Sequence, residues 1–228
     1  MKKLIYSVLV CIVVLFGLAA EEKEYCFMNI PWGTELTELG PKLSELGFKD
    51  LGDSEYTSLF DWNIKSKIYL SNTKVLTDVG KDMKCYTFTE GFNIAGHEVN
   101  KISASLLYDY DYKSVDTSKY NLVQFCINFK ASDPNTVYED LLSKLTVLYG
   151  KPKSFEQNDS ILDEKCSIWL GSKNTGIALV LLVNCRDRNY FSIDLYYGKT
   201  NAEEMISELK KIKTKEAVSN AQGNFFGL

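Results

Sequence analysis

A regular alternation of apolar and polar residues between Cys85 and Phe129 is the feature that most constrains the fold. A period of two is typical of β-strands in an antiparallel sheet with one covered and one polar face. The pattern breaks at Ala95-Gly96-His97, which predicts a hairpin turn between a first strand and its return strand. The side chains expected on the covered face are Tyr86, Phe88, Phe92, Ile102, Ala104, Leu106, Tyr108, Tyr110, Val123, Phe125, Ile127 and Phe129. Those expected on the polar face are Cys85, Thr87, Thr89, Gln124, Cys126 and Asn128.

Helical periodicity flanks these strands on both sides. Thr34 is the predicted N-cap of a first helix, and Gly47 predicts its end. Within this helix, Gly40-Pro41 predicts a kink or a division into two short helices. Asp133-Pro134 predicts the start of a second helix. A third helix is expected at residues 201–213. Each helix has an apolar stripe. The stripe of the first helix is Leu36, Leu39, Leu43 and Leu46; that of the second is Val137, Leu141, Leu145 and Leu148; and that of the third is Met205, Ile206, Leu209 and Ile212.

More strands are expected elsewhere in the chain. One or two short strands are predicted between residues 56 and 77, and three longer ones at residues 165–171, 176–184 and 189–198. The middle strand of these three is apolar on both faces, which indicates an interior position in the sheet. The last one alternates, and its inward side chains are expected to be Phe191, Ile193, Leu195 and Tyr197.

These elements predict the α+β class: an antiparallel sheet with helices packed on one face. The domain is expected at residues 21–215, followed by a frayed tail at residues 216–228. A helix followed by a three-stranded meander occurs twice, so residues 26–130 and 131–215 are predicted to be two similar halves. The alternative is that the likeness is local, as in many α+β chains.

The N-terminus has the parts of a secretory signal peptide. Lys2 and Lys3 precede an apolar run from Leu4 to Ala20, which ends in small residues and is followed by acidic ones. Cleavage is expected near Ala20, so residues 1–20 are assigned to the signal peptide. An uncleaved run would instead anchor the protein in a membrane. In both cases the remaining chain is expected outside the cytoplasm, in the periplasm or secreted.

The charge balance argues against a nucleic-acid partner. The chain has 26 Lys and Arg against 30 Asp and Glu, a net charge of −4 that becomes −6 without residues 1–20. Binding to nucleic acid or anionic lipid relies on positive charge. The expected partner is therefore another envelope or extracellular protein, with no stable membrane span after cleavage.

Cysteine and histidine usage indicates neither a metal site nor a catalytic centre. The only histidine is His97, in the predicted turn, and no Cys-x-x-Cys motif occurs. No catalytic residue, metal site or cofactor is therefore predicted.

Two of the cysteines, Cys85 and Cys126, fall on the polar face with the return strand between them. They would be two strand spacings, ~9–10 Å, apart, which predicts two exposed, reactive thiols and no disulfide bridge. The cysteines beyond the signal are Cys26, Cys85, Cys126, Cys166 and Cys185, an odd number that leaves at least one without a partner in the chain.

The stretch NIPWGTELTEL, from Asn29 to Leu39, is the most motif-like in the chain. Its single Gly and lack of Lys exclude a phosphate-binding loop. Pro31 to Thr34 is predicted to be the junction at which the chain enters the first helix, with Trp32 covering the core. In the alternative reading the indole stacks on a ligand, which makes Trp32 a candidate binding residue.

Two short segments carry a resemblance to other proteins. With Asn29 to Thr34 and with LYGKP at Leu148 to Pro152, the chain resembles exported bacterial proteins of unknown function that have a Pro-Trp-Gly motif just after the signal peptide. Asn29 stands where those proteins usually have a glycine. This resemblance implies export and a fold of helix and sheet, and no activity. The repeated helix and meander also look like the architecture of β-lactamase inhibitor protein and of small outer-membrane assembly lipoproteins.

Two other segments contain candidate binding residues. Tyr108, Tyr110 and Tyr112 make one end of the return strand rich in amphipathic side chains, which are frequent at contact surfaces. Arg186 and Arg188 lie in a turn after an apolar strand, either as a solvated turn or as a fork for a carboxylate or phosphate.

Two functions are consistent with these features. The expected one is an exported, non-enzymatic binding or protein-interaction module, whose ligand the sequence does not name. The alternative is an envelope hydrolase that uses Asp and Glu carboxylates of the polar face. A glycoside hydrolase needs two carboxyl groups roughly 5–9.5 Å apart in a cleft, and sequence alone does not place them.

Overall fold

The computed structural model describes residues 24–54, 58–60, 62, 73–75, 83–88, 92–108, 120–158, 160–187, 189–202, 204–208, 211 and 214–215. The predicted signal peptide at residues 1–20 and the predicted tail at residues 216–228 lie outside this part of the chain. None of the helices within it combines the length and the apolar composition that a membrane span requires. The named elements are α1 (Leu36–Glu45), α2 (Pro134–Tyr149), β1 (Asp50–Ser54), β2 (Ser58–Phe60), β3 (Thr73–Val75), β4 (Met83–Phe88), β5 (Phe92–Ile94), β6 (His97–Tyr108), β7 (Tyr120–Phe129), β8 (Lys153–Asn158), β9 (Leu162–Leu170), β10 (Thr175–Asn184) and β11 (Phe191–Lys199).

One antiparallel sheet dominates the structure, and the α+β class is confirmed. Its strands lie in the order β1-β4-β6-β7-β11-β10-β9-β8, and β5 adds a short pair to β6. The predicted interior strand, β10, pairs with β9 on one side and β11 on the other. The predicted short strands are β2 and β3, which form a separate two-stranded sheet.

The face of the sheet that carries α1 and α2, called the helix face, holds the main hydrophobic core. Alternation places the apolar side chains of β4, β6, β7 and β11 on this face, as predicted for these strands. The buried side chains from the sheet include Phe88, Ile102, Ala104, Leu106, Phe125, Ile127, Phe129, Ile193, Leu195 and Tyr197. The two helices contribute Leu39, Leu43, Tyr138, Leu141 and Leu145, and the N-terminal segment contributes Tyr25, Phe27 and Ile30.

The start of α1 differs from the prediction. Glu35 is its N-cap, because the hydroxyl of Thr34 donates to the Pro31 carbonyl at 2.7 Å and closes the preceding turn instead. The predicted division into two short helices at Gly40-Pro41 is also wrong: α1 continues through both residues. The neighbouring Leu39 and Leu43 are fully buried, and burial of this face stabilises the helix against the proline.

The start of α2 agrees with the prediction. The Asp133 carboxylate accepts hydrogen bonds from the backbone N–H groups of Asn135 at 3.1 Å and Thr136 at 3.4 Å. These groups have no partner within the helix, which explains the preference for Asp at this position.

The second face of the sheet, called the opposite face, is partly covered. The ring of Phe60 packs on Tyr196 at 4.9 Å between centroids, and the ring of Trp62 lies against Gly176 and Gly198. Residues 204–208 are helical, and Ala202 and Ile206 of this C-terminal segment are buried. They form one apolar cluster with Leu59, Leu107 and Val123.

Helical residues therefore pack on both faces, and the prediction of helices on one face is wrong. The physical reason is that Leu107 and Val123 point away from the helix face and need an apolar cover.

The orientation of Val123 also differs from the prediction. Val123 was predicted to point inward, but Ser105 pairs with Gln124 while Leu106 pairs with Leu122. Val123 is thus the extra residue of a β-bulge, which turns it to the opposite face.

Candidate functional site

Trp32 lies at the junction predicted for it. Its ring is half-buried, with its centroid 6.4 Å from that of Phe125, and its indole N–H donates to the Tyr25 carbonyl at 2.7 Å. Gly33 has a φ of +83° and donates its N–H to the Leu122 carbonyl at 3.0 Å. The Pro-Trp-Gly segment is thereby attached to the start of β7, and the contacts of Trp32 stabilise the fold.

Of the other predicted binding residues, the structure describes Arg186 and the backbone of Tyr108. The backbone of Tyr108 ends β6, while its side chain, Tyr110, Tyr112 and Arg188 lie outside the described residues. Arg186 is exposed in the turn after β10, where its N–H donates to the Asn184 side chain at 2.9 Å. The hydrogen bond from Gly33 to Leu122 and the strand register place Trp32 and Tyr108 at one end of the sheet and Arg186 at the other.

A polar groove on the opposite face has stronger features of a site. It encloses about 500 Å³ over β4, β6, β7 and β11, within the range of pockets that hold small molecules. The ring of Phe60 packs on Tyr196, one of the residues that line it. We call it the sheet groove; its lining is Cys85, Asn100, Lys101, Ser103, Ser105, Cys126, Asn128, Ser192, Asp194 and Tyr196.

Cys85, Cys126 and Asn128 were predicted to share the polar face, and they line this groove together. The contribution of β11 to the groove was not predicted. The available signal was the alternation itself, because inward Ile193 and Leu195 imply that Asp194 faces the other way. That β11 lies beside β7 was not visible in the sequence.

A chain of hydrogen bonds crosses the floor of the sheet groove. Asn100 donates its side-chain amide to Asn128 at 2.9 Å, and Asn128 donates to Asp194 Oδ1 at 2.8 Å. The hydroxyl of Ser192 donates to the other carboxylate oxygen, Oδ2. Burial raises the pKa of the Asp194 carboxyl, and the hydrogen bonds from Ser192 and Asn128 and the charge of Lys101 oppose this rise.

The two groove cysteines are separated as predicted but are not exposed thiols. β6 lies between β4 and β7, and both cysteines are free. Burial raises the pKa of Cys85, and burial together with the nearby Asp194 carboxylate raises that of Cys126 well above its ordinary value. The predicted exposure and reactivity are wrong because Cys85 is buried and Cys126 packs against the apolar cluster around Phe60. Thiolate nucleophiles are therefore disfavoured here.

A second cavity of about 500 Å³ lies where α2 meets β8, β9 and β10. Its lining includes two carboxylates, Asp133 and Asp163, and one cation, Lys165. Hydrogen bonds from the Thr136 hydroxyl and from the N–H groups of Thr136 and Asn135 lower the pKa of Asp133. This carboxylate is occupied by the helix cap and is kept ionised, so it is poorly suited to donate a proton as a general acid.

His97 has a structural partner. Its Nε2 lies 2.5 Å from Asp140 Oδ2, and Lys144 donates to the same oxygen at 2.5 Å and to the Ala95 carbonyl at 2.7 Å. These contacts fix the β5–β6 turn on α2. Among the residues that the structure describes, no group of three or more His, Cys, Asp and Glu side chains is arranged to hold a metal ion.

Comparison with known proteins gives no match to a family model, to a curated protein or to a solved structure. The resemblance to exported proteins with a Pro-Trp-Gly motif therefore stays an expectation.

Proposed function

We propose that this protein is an exported, non-enzymatic binding module and that the sheet groove is its binding site. The observation that carries the proposal is the polar lining of the groove around the half-buried Asp194 carboxyl, whose oxygens are held by Asn128 and Ser192. A concave site with several polar groups in fixed positions beside apolar walls is the usual form of a small-molecule site.

The alternative is a hydrolase that uses paired carboxylates, and the second cavity is the observation that favours it. Such an enzyme needs one carboxyl with a raised pKa to act as an acid and a second one close by. In the described residues these properties occur apart: Asp194 has the raised pKa and is the one acidic side chain lining its groove. Asp133 has Asp163 near it, but its pKa is lowered. This separation supports binding over hydrolysis.

The proposal includes a duplicated architecture. The first half would be α1 with β1, β4, β6 and β7, and the second would be α2 with β8, β9, β10 and β11. Each half is a helix followed by four strands, one more than predicted, which lie side by side in chain order. The last strands of the two halves, β7 and β11, pair with each other. The sheet groove spans this central pair, because Asn128 of β7 is the partner of Asp194 of β11.

Export is the other part of the proposal, and the basic, apolar and small-residue pattern of residues 1–20 supports it. The ligand or partner would then be met in the envelope or outside the cell. N-terminal sequencing of the protein from the envelope or medium is expected to begin near Ala20 or Glu21. A protein that retains Met1 would be membrane-anchored, in contradiction to a cleaved signal.

Filling the sheet groove is expected to abolish ligand binding. In Ser103→Phe a large ring would occupy the space between Lys101 and Ser105, whereas Ser160→Phe places the same ring in an exposed loop. The wild type and Ser160→Phe are expected to retain a small molecule from an envelope extract, detected by native mass spectrometry, and Ser103→Phe is expected to lose it. Circular dichroism checks that both variants are folded.

Two outcomes would overturn this proposal. Equal retention of the molecule by Ser103→Phe and wild type would exclude the sheet groove as the site. Hydrolysis of a panel of nitrophenyl glycosides and esters that disappears in Asp163→Asn would identify the second cavity as catalytic and favour the hydrolase.

A further inference from the structure

Opposite charges lie in one row across the sheet groove. Lys101 of β6 pairs with Asn128 of β7, and Asn128 pairs with Asp194 of β11. All three side chains line the groove. The Cα atoms of Lys101 and Asp194 are thus two strand spacings apart, about 9–10 Å, with the amide of Asn128 between them.

The Asp194 carboxyl lies on the groove floor without a cationic partner among the described residues. The ion pairs of this part of the chain do not include it. Its hydrogen bonds come from neutral donors: the amide of Asn128, the hydroxyl of Ser192 and, at 4.0 Å, the thiol of Cys126. Neutral donors only partly offset the cost of removing a carboxylate from water, so an ammonium group of a ligand would be the complementary charge.

Lys101 supplies the opposite charge at the other end of the row. It is exposed, and no ion pair between described residues includes it. Its long, flexible side chain carries a charge that suits a carboxylate entering from solvent. Asn128, between the two charges, has both a donor and an acceptor on its amide.

We propose that the sheet groove binds a free α-amino acid, with the ligand ammonium group on Asp194 and the ligand carboxylate on Lys101. The ligand side chain would lie toward Ser103, Cys126 and Tyr196, the next row of the groove. This inference rests on the proposed function of the groove as a binding site and specifies the class of ligand.

The ligand class is tested with the common L-amino acids, each added singly to the purified protein and followed by thermal shift and calorimetry. At least one is expected to bind. Its decarboxylated amine and its deaminated acid are each expected to bind at least about tenfold more weakly, because each loses one charge-assisted hydrogen bond. For L-serine these analogues are ethanolamine and 3-hydroxypropanoate.

The residue assignment is tested with charge-removing variants. Asp194→Asn and Lys101→Met are each expected to weaken binding of the amino acid about tenfold or more. Asp187→Asn in the β10–β11 turn and Lys173→Met on the surface make the same chemical changes at exposed sites and are expected to bind as wild type does.

Asp194→Asn also has a second readout that separates a binding role from a structural one. Because burial raises the pKa of Asp194, its ionised form is less stable in the folded protein than in the unfolded chain, and this cost is present at neutral pH. Removal of the charge is therefore expected to raise the melting temperature of the ligand-free protein at neutral pH, while a purely structural carboxylate would give a decrease.

Three results would overturn the inference. An amine that binds as tightly as its amino acid would exclude the role of Lys101. Unchanged affinity in Asp194→Asn would exclude the ammonium site. Failure of all the amino acids to bind would reject this ligand class, and the proposed function would still stand if Ser103→Phe lost a molecule that the wild type retains from the envelope extract.

Discussion

Replacement of Phe125 by alanine is expected to lower the free energy of unfolding by about 3–5 kcal/mol, the usual cost of truncating a buried phenylalanine. Phe125 is completely buried in β7. Its ring lies 5.0 Å from that of Phe27 and 6.4 Å from that of Trp32, measured between centroids. Loss of the ring would leave a cavity where the N-terminal segment meets the sheet, so the Pro-Trp-Gly junction would lose its support as well.

Urea denaturation followed by circular dichroism measures this effect. Val147→Ala is the control, because the Val147 side chain is 84% exposed on α2 and its truncation should change stability by less than about 0.5 kcal/mol. A Phe125→Ala protein with the same midpoint as wild type would show that the helix-face core is not organised around this residue.

Replacement of Gly176 by alanine is expected to lower stability by about 2 kcal/mol, within the usual range for overpacking. A Cβ atom at this position would lie 2.5 Å from Cζ3 and 2.8 Å from Cε3 of Trp62, and 3.1 Å from Cγ2 of Thr200. The indole would have to leave the surface formed by β10 and β11, and its packing on Phe60 at 4.7 Å between centroids would change. A shift in tryptophan fluorescence is expected in the folded state.

Gly40→Ala is the matched control for this substitution. Nothing lies within 4 Å of a Cβ at Gly40, which is inside α1, so alanine should stabilise the protein by up to about 1 kcal/mol. In a Trp62→Ala background, Gly176→Ala should cost much less, because the clashing ring is absent. An equal cost in both backgrounds would assign the effect to the β10 backbone and not to contact with Trp62.

Local patterns in the sequence were sufficient to predict most strands and the side chains of their covered face. The alternation in β4, β6 and β11 predicted Phe88, Ile102 and Leu195 on one face, and all three lie in the main core. The start of α2 was predictable as well, because an N-cap depends on residues a few positions apart. Such features are decided within one strand or one helical turn, so the sequence alone contains the information.

Contacts between distant parts of the chain decided the rest. The bulge that reverses Val123 arises from the register between β6 and β7, and Trp62 covers glycines more than a hundred residues away in the sequence. α1 runs through Pro41 because its apolar side packs on the sheet. In each case tertiary packing outweighed a local preference.

The candidate site belongs to this second category. Asn128 and Ser192 hold the Asp194 carboxyl, and Lys101 shares the groove, only because β6, β7 and β11 are neighbours in the sheet. The sequence by itself determined that these residues face away from the helix-face core, since side chains alternate along each strand. Only strand order and register, which depend on non-local pairing, decided that they form one groove with the half-buried Asp194 carboxyl on its floor.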